Sequence, residues 1–192
     1  MSNGSKACIQ DLDRFRLPEG FRGRSPLIVQ LWWLVQAFLF RPSPQIFYGW
    51  RRWLMRVFGA NVGDGVLLRP TVVITYPWKV TIGRNAWVGD NATLYSLGSI
   101  VIGENAVVSQ EAYLCTGTHD YKDSAFRIYA EQITIEAEAW IAARAFISPG
   151  ITVGAGAVVA ACSTVTKNVD PMSIVAGTPA RKIGERFSAV AS

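Results

Sequence analysis

An aliphatic residue recurs at every sixth position over much of this chain. One run is Val62, Leu68, Ile74 and Val80, and a second is Ile82, Val88, Leu94 and Ile100. A third holds Ile102, Val108 and Leu114, and a fourth Ile135, Ile141, Ile147, Val153, Val159 and Val165. A period of six fits neither an α-helix nor an amphipathic strand. It fits a short strand and a tight corner, repeated, with three units making a triangular coil of roughly 18 residues. Stacked coils then pair as parallel strands about 4.8 Å apart, and the aliphatic residues form one inward ladder. The fourth residue after the ladder position is small, at Ala86, Ala92, Ala106, Ala112, Ala139, Ala145 and Ala157. Gly follows the ladder residue at Gly63, Gly83, Gly89, Gly103 and Gly154, and Gly or Asn is read as backbone relief at corners. Two-residue slips at Val80/Ile82 and Ile100/Ile102 lengthen those coils. The echoes Val80-Thr-Ile-Gly, Ile100-Val-Ile-Gly, Ile133-Thr-Ile-Glu and Ile151-Thr-Val-Gly mark equivalent edges of successive coils.

The period lapses after Leu114 and returns near Ile133. A solenoid needs no such excursion to fold, so residues 115–132 are either a tolerated insertion or a working part. They contain His119, the chain's only histidine, and imidazole is the side chain that accepts a proton near neutral pH.

Several motifs now carry a resemblance. They are Phe47-Tyr-Gly-Trp-Arg-Arg-Trp53, Arg69-Pro70, Tyr76-Pro-Trp78, Tyr113-Leu-Cys-Thr-Gly-Thr-His-Asp-Tyr121, Ala139-Trp-Ile-Ala142 and Val175-Ala-Gly-Thr-Pro-Ala-Arg181. Together with the repeat, they make the chain similar to the hexapeptide-repeat acyltransferases. Within that superfamily it resembles the maltose/galactoside acetyltransferase branch, and most closely the colanic-acid-type exopolysaccharide O-acetyltransferases. The resemblance implies a left-handed parallel β-helix, a homotrimer, and acetyl-coenzyme A lying in a groove between neighbouring β-helices. It places His119 as catalytic base and Ala142, Ala160, Thr166, Lys167 and Arg181 along the coenzyme groove. Chemistry favours part of that set, since Lys167, Arg181 and Lys182 supply cations for phosphates.

The expected reaction is direct transfer of an acetyl group to a sugar hydroxyl of a saccharide or exopolysaccharide precursor. His119 takes the hydroxyl proton and a backbone N–H holds the developing oxyanion. Cys115 is a rival nucleophile, although its place directly after Leu114 reads as a packed thiol. Asn91, Tyr95, Glu111, Asp120 and Tyr121 are candidates for the acceptor pocket, and the partner that orients His119 is left open. Alternatives are an amine or non-sugar acceptor, or a noncatalytic β-helix scaffold. One histidine and no clustered cysteines argue against a zinc site, so no metal is expected.

The chain divides by pattern into a helical segment at 1–59, a β-helix at 60–175 and a short tail at 176–192. Residues 27–40 are apolar but too short to span a bilayer as a helix. Ser25-Pro26 can start a helix running through Phe40, and Ser43-Pro44 a second ending near Gly59. In the second, Ile46, Trp50, Trp53, Leu54 and Val57 form the apolar stripe. These helices either cap the open end of the β-helix or make peripheral contact with a membrane surface through residues 25–58. The net charge of +5 suits an anionic small molecule, a membrane or nucleic acid, but no nucleic-acid motif accompanies it. Cys8, Cys115 and Cys162 are odd in number and widely spaced, and no signal-peptide pattern opens the chain. The expected setting is therefore cytoplasmic, with the inner face of the membrane as its variant.

Overall fold

The computed structural model describes residues 9–186; Cys8 and the end of the C-terminal tail lie outside them. Its body is a triangular left-handed parallel β-helix. The first face stacks Asn61–Val62, Val80–Ile82, Ile100–Ile102, Ile133–Ile135 and Thr152–Val153. The second stacks Leu67–Leu68, Trp87–Val88, Val107–Val108, Trp140–Ile141, Val158–Val159 and Ser173–Gly177. The third stacks Val73–Ile74, Thr93–Tyr95, Tyr113–Cys115, Phe146–Ile147 and Thr164–Val165. On the first face Val62, Ile82, Ile102, Ile135 and Val153 lie in one parallel register. The echoed tetrapeptides are therefore one edge of successive coils.

Each strand is short because each turn of the chain needs only one inward side chain per face. No ladder residue from Val62 to Val165 is more than 4% exposed, and the seven small alanines are fully buried. The corners use Asn as the sequence suggests, and other residues besides. Asn85, Asn105 and Glu138 at one corner, and Asn91, Glu111, Arg144 and Cys162 at another, take the left-handed conformation with φ between 55° and 62°. The glycines after the ladder residues do not. They are required by close approach: a Cβ on Gly103 would lie 2.5 Å from the Ala137 nitrogen of the next coil.

Helix α1 (Pro26–Val35) runs on through a π-helical stretch, Gln36–Phe40, and helix α2 spans Tyr48–Val57. Trp32, Phe40, Leu54 and Met55 join the same apolar core as Val62, Val66 and Leu68, so the pair covers the open first coil. Trp32 Nε1 donates to the Ile74 carbonyl at 2.8 Å, and the Gln36 side-chain oxygen accepts from the Ile74 amide at 2.8 Å. At the C-terminal end, Ala180–Glu185 folds back antiparallel onto Ser173–Gly177.

Ser25 stands at the N-cap of α1 with Pro26 as its first residue, as expected, although the Ser25 side chain makes no cap bond. Ser43-Pro44 does not start α2; its hydroxyl donates to the Phe40 carbonyl at 2.5 Å and accepts from Arg51 Nη1 at 2.8 Å. Of the expected apolar stripe only Leu54 is buried, and Ile46, Trp50, Trp53 and Val57 face outward. The inward face is Arg51, Leu54 and Met55. Arg51 is fully buried and donates to the carbonyls of Leu68, Pro44 and Gln45 at 2.6, 2.9 and 2.5 Å. The Leu68 carbonyl of the first coil and the Pro44 and Gln45 carbonyls of the turn before α2 need donors more than the core needs another apolar group, and that demand turns the helix.

Candidate active site

The break in the repeat is a hairpin rather than an irregular loop. Gly117–His119 pairs antiparallel with Ile128–Ala130, placing His119 opposite Ile128. Its base is set by Thr116, which is fully buried; its hydroxyl donates to the Tyr95 carbonyl at 2.6 Å and accepts from the Gly98 amide at 2.8 Å. Ile128 and Ala130 rest on a small second cluster of Val29, Tyr76 and Leu97, with Phe21 and Tyr95 beside it. Lys79 ties the N-terminal arm to this region by donating to the Phe21 carbonyl at 2.5 Å.

His119 is held on two sides. Its Nδ1 lies 2.8 Å from the Phe126 carbonyl, and its ring stacks on that of Phe126 with centroids 4.2 Å apart and planes within 10°. Phe15 approaches the other way, at 5.9 Å and 48°. A carbonyl oxygen only accepts, so Nδ1 donates to it, and in the neutral ring the lone pair is on Nε2. Among the described residues nothing bonds to Nε2. Phe126 adopts φ 49°, a backbone region rare for a bulky residue, and this aims its carbonyl at the imidazole. Asp123 maintains the loop: it accepts from the Ala125 amide at 3.1 Å and pairs with Arg127, which holds its carboxyl below the usual range.

Asp120 turns away from this arrangement. Its carboxylate accepts from the Lys122 amide at 2.9 Å, and Tyr121 is largely exposed. Tyr95 sits on the third face in an aromatic row, 6.0 Å from Tyr113, which in turn stacks on Phe146 at 5.6 Å. Cys115 is half-buried and donates to the Gly117 carbonyl at 3.3 Å. Burial pushes its pKa up, so near neutral pH it is a thiol, a poor nucleophile.

Asn91 and Glu111 lie elsewhere, on a cleft of about 970 Å³ along the second face. Trp87 and Trp140 form its apolar floor, each about half exposed. Arg69 donates to Asp90 at 2.7 Å and Thr71 donates to the same carboxylate at 2.8 Å. Burial works to raise the Asp90 pKa, but those two hydrogen bonds outweigh it and hold the carboxyl low. Glu111 pairs with Arg144 at 2.5 Å. Sequence reasoning had no role for Arg69, Asp90, Gln110, Trp87 or Trp140 in an acceptor site. The available signal was positional: Trp87 and Trp140 each precede a ladder residue, in a slot that must face outward. Exposed indole faces flanked by acid, amide and guanidinium groups suit a polyhydroxylated ligand with apolar C–H faces.

The expected coenzyme residues separate. Lys167 and Arg181 line a small cleft of about 220 Å³, together with Lys182 and Ser173. The Ser173 hydroxyl is buried and is the one buried side-chain polar atom without a hydrogen-bond partner among the described residues. Two kinds of cation beside an unsatisfied hydroxyl fit an anionic group. Thr166 is exposed, Ala160 half-buried, and Ala142 buried in the β-helix wall.

The family model described as the hexapeptide repeat of succinyl-transferase matches residues 79–113 and 132–167. An Escherichia coli K12 protein named as a colanic acid biosynthesis acetyltransferase, WcaF, is 50% identical over 178 residues, covering 93% of this chain and 98% of that one. The galactoside O-acetyltransferase of the same strain is 31% identical over 138 residues, covering 70% of this chain and 68% of its own. A solved galactoside acetyltransferase in complex with coenzyme A superposes with a TM-score of 0.77 at 28% identity, covering 88% of this chain and 84% of that one.

Proposed function

The chain belongs to the hexapeptide-repeat acetyltransferase family, and from that premise we propose that it moves an acetyl group from acetyl-coenzyme A to a hydroxyl of a saccharide in exopolysaccharide assembly. The observation that carries this reading is the single histidine, held through Nδ1 by the Phe126 carbonyl, with nothing bonded to Nε2 among the described residues. Nε2 takes the proton of the attacking hydroxyl. The donor thioester supplies the acetyl group already activated, so no covalent enzyme intermediate is needed. Lys167 and Arg181, with Lys182, hold the phosphates of the donor by charge. The 50% identical relative named for colanic acid biosynthesis supports a saccharide acceptor, as does the Trp87/Trp140 cleft.

The working unit is a trimer. His119 leaves the helix from the third face, whereas the cleft with Asn91 and Glu111 belongs to the second and is lined without His119. One molecule thus carries the base and the acceptor groups on separate faces. A neighbouring copy that sets its hairpin over the cleft brings them together.

The test is thiol release from acetyl-coenzyme A against a panel of sugars, nucleotide sugars and short oligosaccharides, with His119→Ala alongside. Acceptor-dependent release that falls by about a thousandfold in the variant, with trimer mass and melting unchanged, is expected. A variant near the normal rate would remove His119 from the chemistry. Release with amines and none with sugars would move the acceptor class.

A further inference from the structure

Twelve of the twenty large apolar side chains exposed among the described residues lie between Leu27 and Val57. On α1 and its π-helical continuation they are Leu27, Ile28, Leu31, Trp33, Leu34, Phe38 and Leu39, because Val29, Trp32 and Phe40 alone are buried there. On α2 and the turn before it, Ile46, Phe47, Trp50, Trp53 and Val57 face out. The two sets adjoin: Trp50 Nε1 donates to the Leu39 carbonyl at 2.9 Å, and Trp50 stacks on Trp53 at 5.1 Å. An apolar surface of this extent marks a contact site rather than scattered exposure.

Charge identifies the occupant. Residues 20–63 contain six arginines and no aspartate or glutamate; Arg51 is buried, and none of the other five is. The other thirteen lysines and arginines of the chain face fourteen acidic residues, so the whole positive surplus belongs to the segment that carries the apolar face. Arg24 and Arg41, both exposed, bracket the apolar stretch of α1 and its continuation. No helix of the described residues is long and apolar enough to cross a membrane. Apolar and indole groups on one face, with guanidinium groups at its margin, are the chemistry of a segment lying in the plane of an anionic lipid surface. A second copy presenting the same face would bring like charges together.

We infer that the outer face of α1 and α2 seats the protein on an anionic phospholipid bilayer, with Leu31, Phe38 and Trp53 entering the acyl boundary and Arg24 and Arg41 meeting the headgroups. This attachment is independent of the acyl-transfer reading, because none of these residues lines the cleft or surrounds His119.

The full chain would be sedimented with vesicles of phosphatidylcholine alone and of phosphatidylcholine with about one third phosphatidylglycerol. Retention on the anionic vesicles at least about tenfold above the neutral ones is expected, weakening as salt rises to about 1 M. Brominated acyl chains should quench the tryptophan emission of the unmodified protein. The triple variant Leu31→Gln, Phe38→Gln, Trp53→Gln should lose about tenfold or more in retention. Arg24→Gln with Arg41→Gln should lose the preference for anionic vesicles. Both should keep their oligomeric mass and their turnover on soluble acceptors. Absence of retention and quenching in the unmodified protein overturns the inference. So does a change of oligomeric mass in the triple variant, which would assign the face to another copy of the chain.

Discussion

The Phe126 carbonyl lies 2.8 Å from Nδ1 of His119 while the two rings stack at 4.2 Å, so one residue fixes both the tautomer and the plane of the imidazole. Replacing the ring leaves the carbonyl in place but frees the plane. Phe126→Ala is expected to lower kcat by about tenfold to a hundredfold with KM for acetyl-coenzyme A nearly unchanged. A loss confined to KM would show that the ring serves binding rather than positioning.

Trp87 and Trp140 should act on the acceptor alone. Each truncation to Ala removes one wall of the cleft without touching the ladder behind it. A rise of about tenfold in KM for the sugar is expected, with KM for acetyl-coenzyme A unmoved. Initial-rate measurements with each substrate varied in turn would decide it, and equal rises for both would place these indoles outside an acceptor site.

Among the described residues Arg51 has no carboxylate partner, and it still ties the turn before α2 to the first coil, because three main-chain carbonyls depend on it. Arg51→Met keeps the volume and strands those acceptors. Urea unfolding is expected to show a loss of about 3 kcal/mol, with Arg51→Lys recovering only part, since an ammonium cannot span all three. A neutral Arg51→Met would mean that water satisfies the carbonyls.

Cys115 gives a pH prediction. Its thiol pKa is raised by burial, so the reactive thiolate stays scarce until pH rises beyond the range where a free cysteine ionises. Alkylation at Cys115, followed by peptide mapping, should be slow near neutral pH and accelerate only on the alkaline side. Cys115→Ser should retain turnover. Rapid labelling at pH 7 with matching loss of activity would restore Cys115 as a nucleophile.

The sequence carries the β-helix plainly because its rule is repeated. Ile135, Ile141, Ile147 and their neighbours obey one spacing, and each coil restates it. What it hides are features decided once. The inward turn of α2 depends on carbonyls of the first coil and of the preceding turn that need a donor, and no periodicity in Ile46, Trp50 and Trp53 reports that. His119 stands out as the sole histidine in the sole break, yet its orienting group is a main-chain oxygen, which no side-chain pattern announces. Polarity at a corner reports two demands at once. Asn91 and Glu111 occupy left-handed positions where Asn is favoured by backbone conformation alone.

The reversed strand Ala180–Glu185 has a consequence for how long this object can become. A stack of identical parallel rungs is a template, and an uncovered final rung would accept another molecule's first rung and then another, as fibrils grow. Here the outermost row on the second face runs antiparallel and carries Arg181, Lys182 and Glu185, while a buried arginine and two helices close the opposite end. On the second face, lengthwise pairing with another molecule is thereby disfavoured by reversed strand direction and by charge.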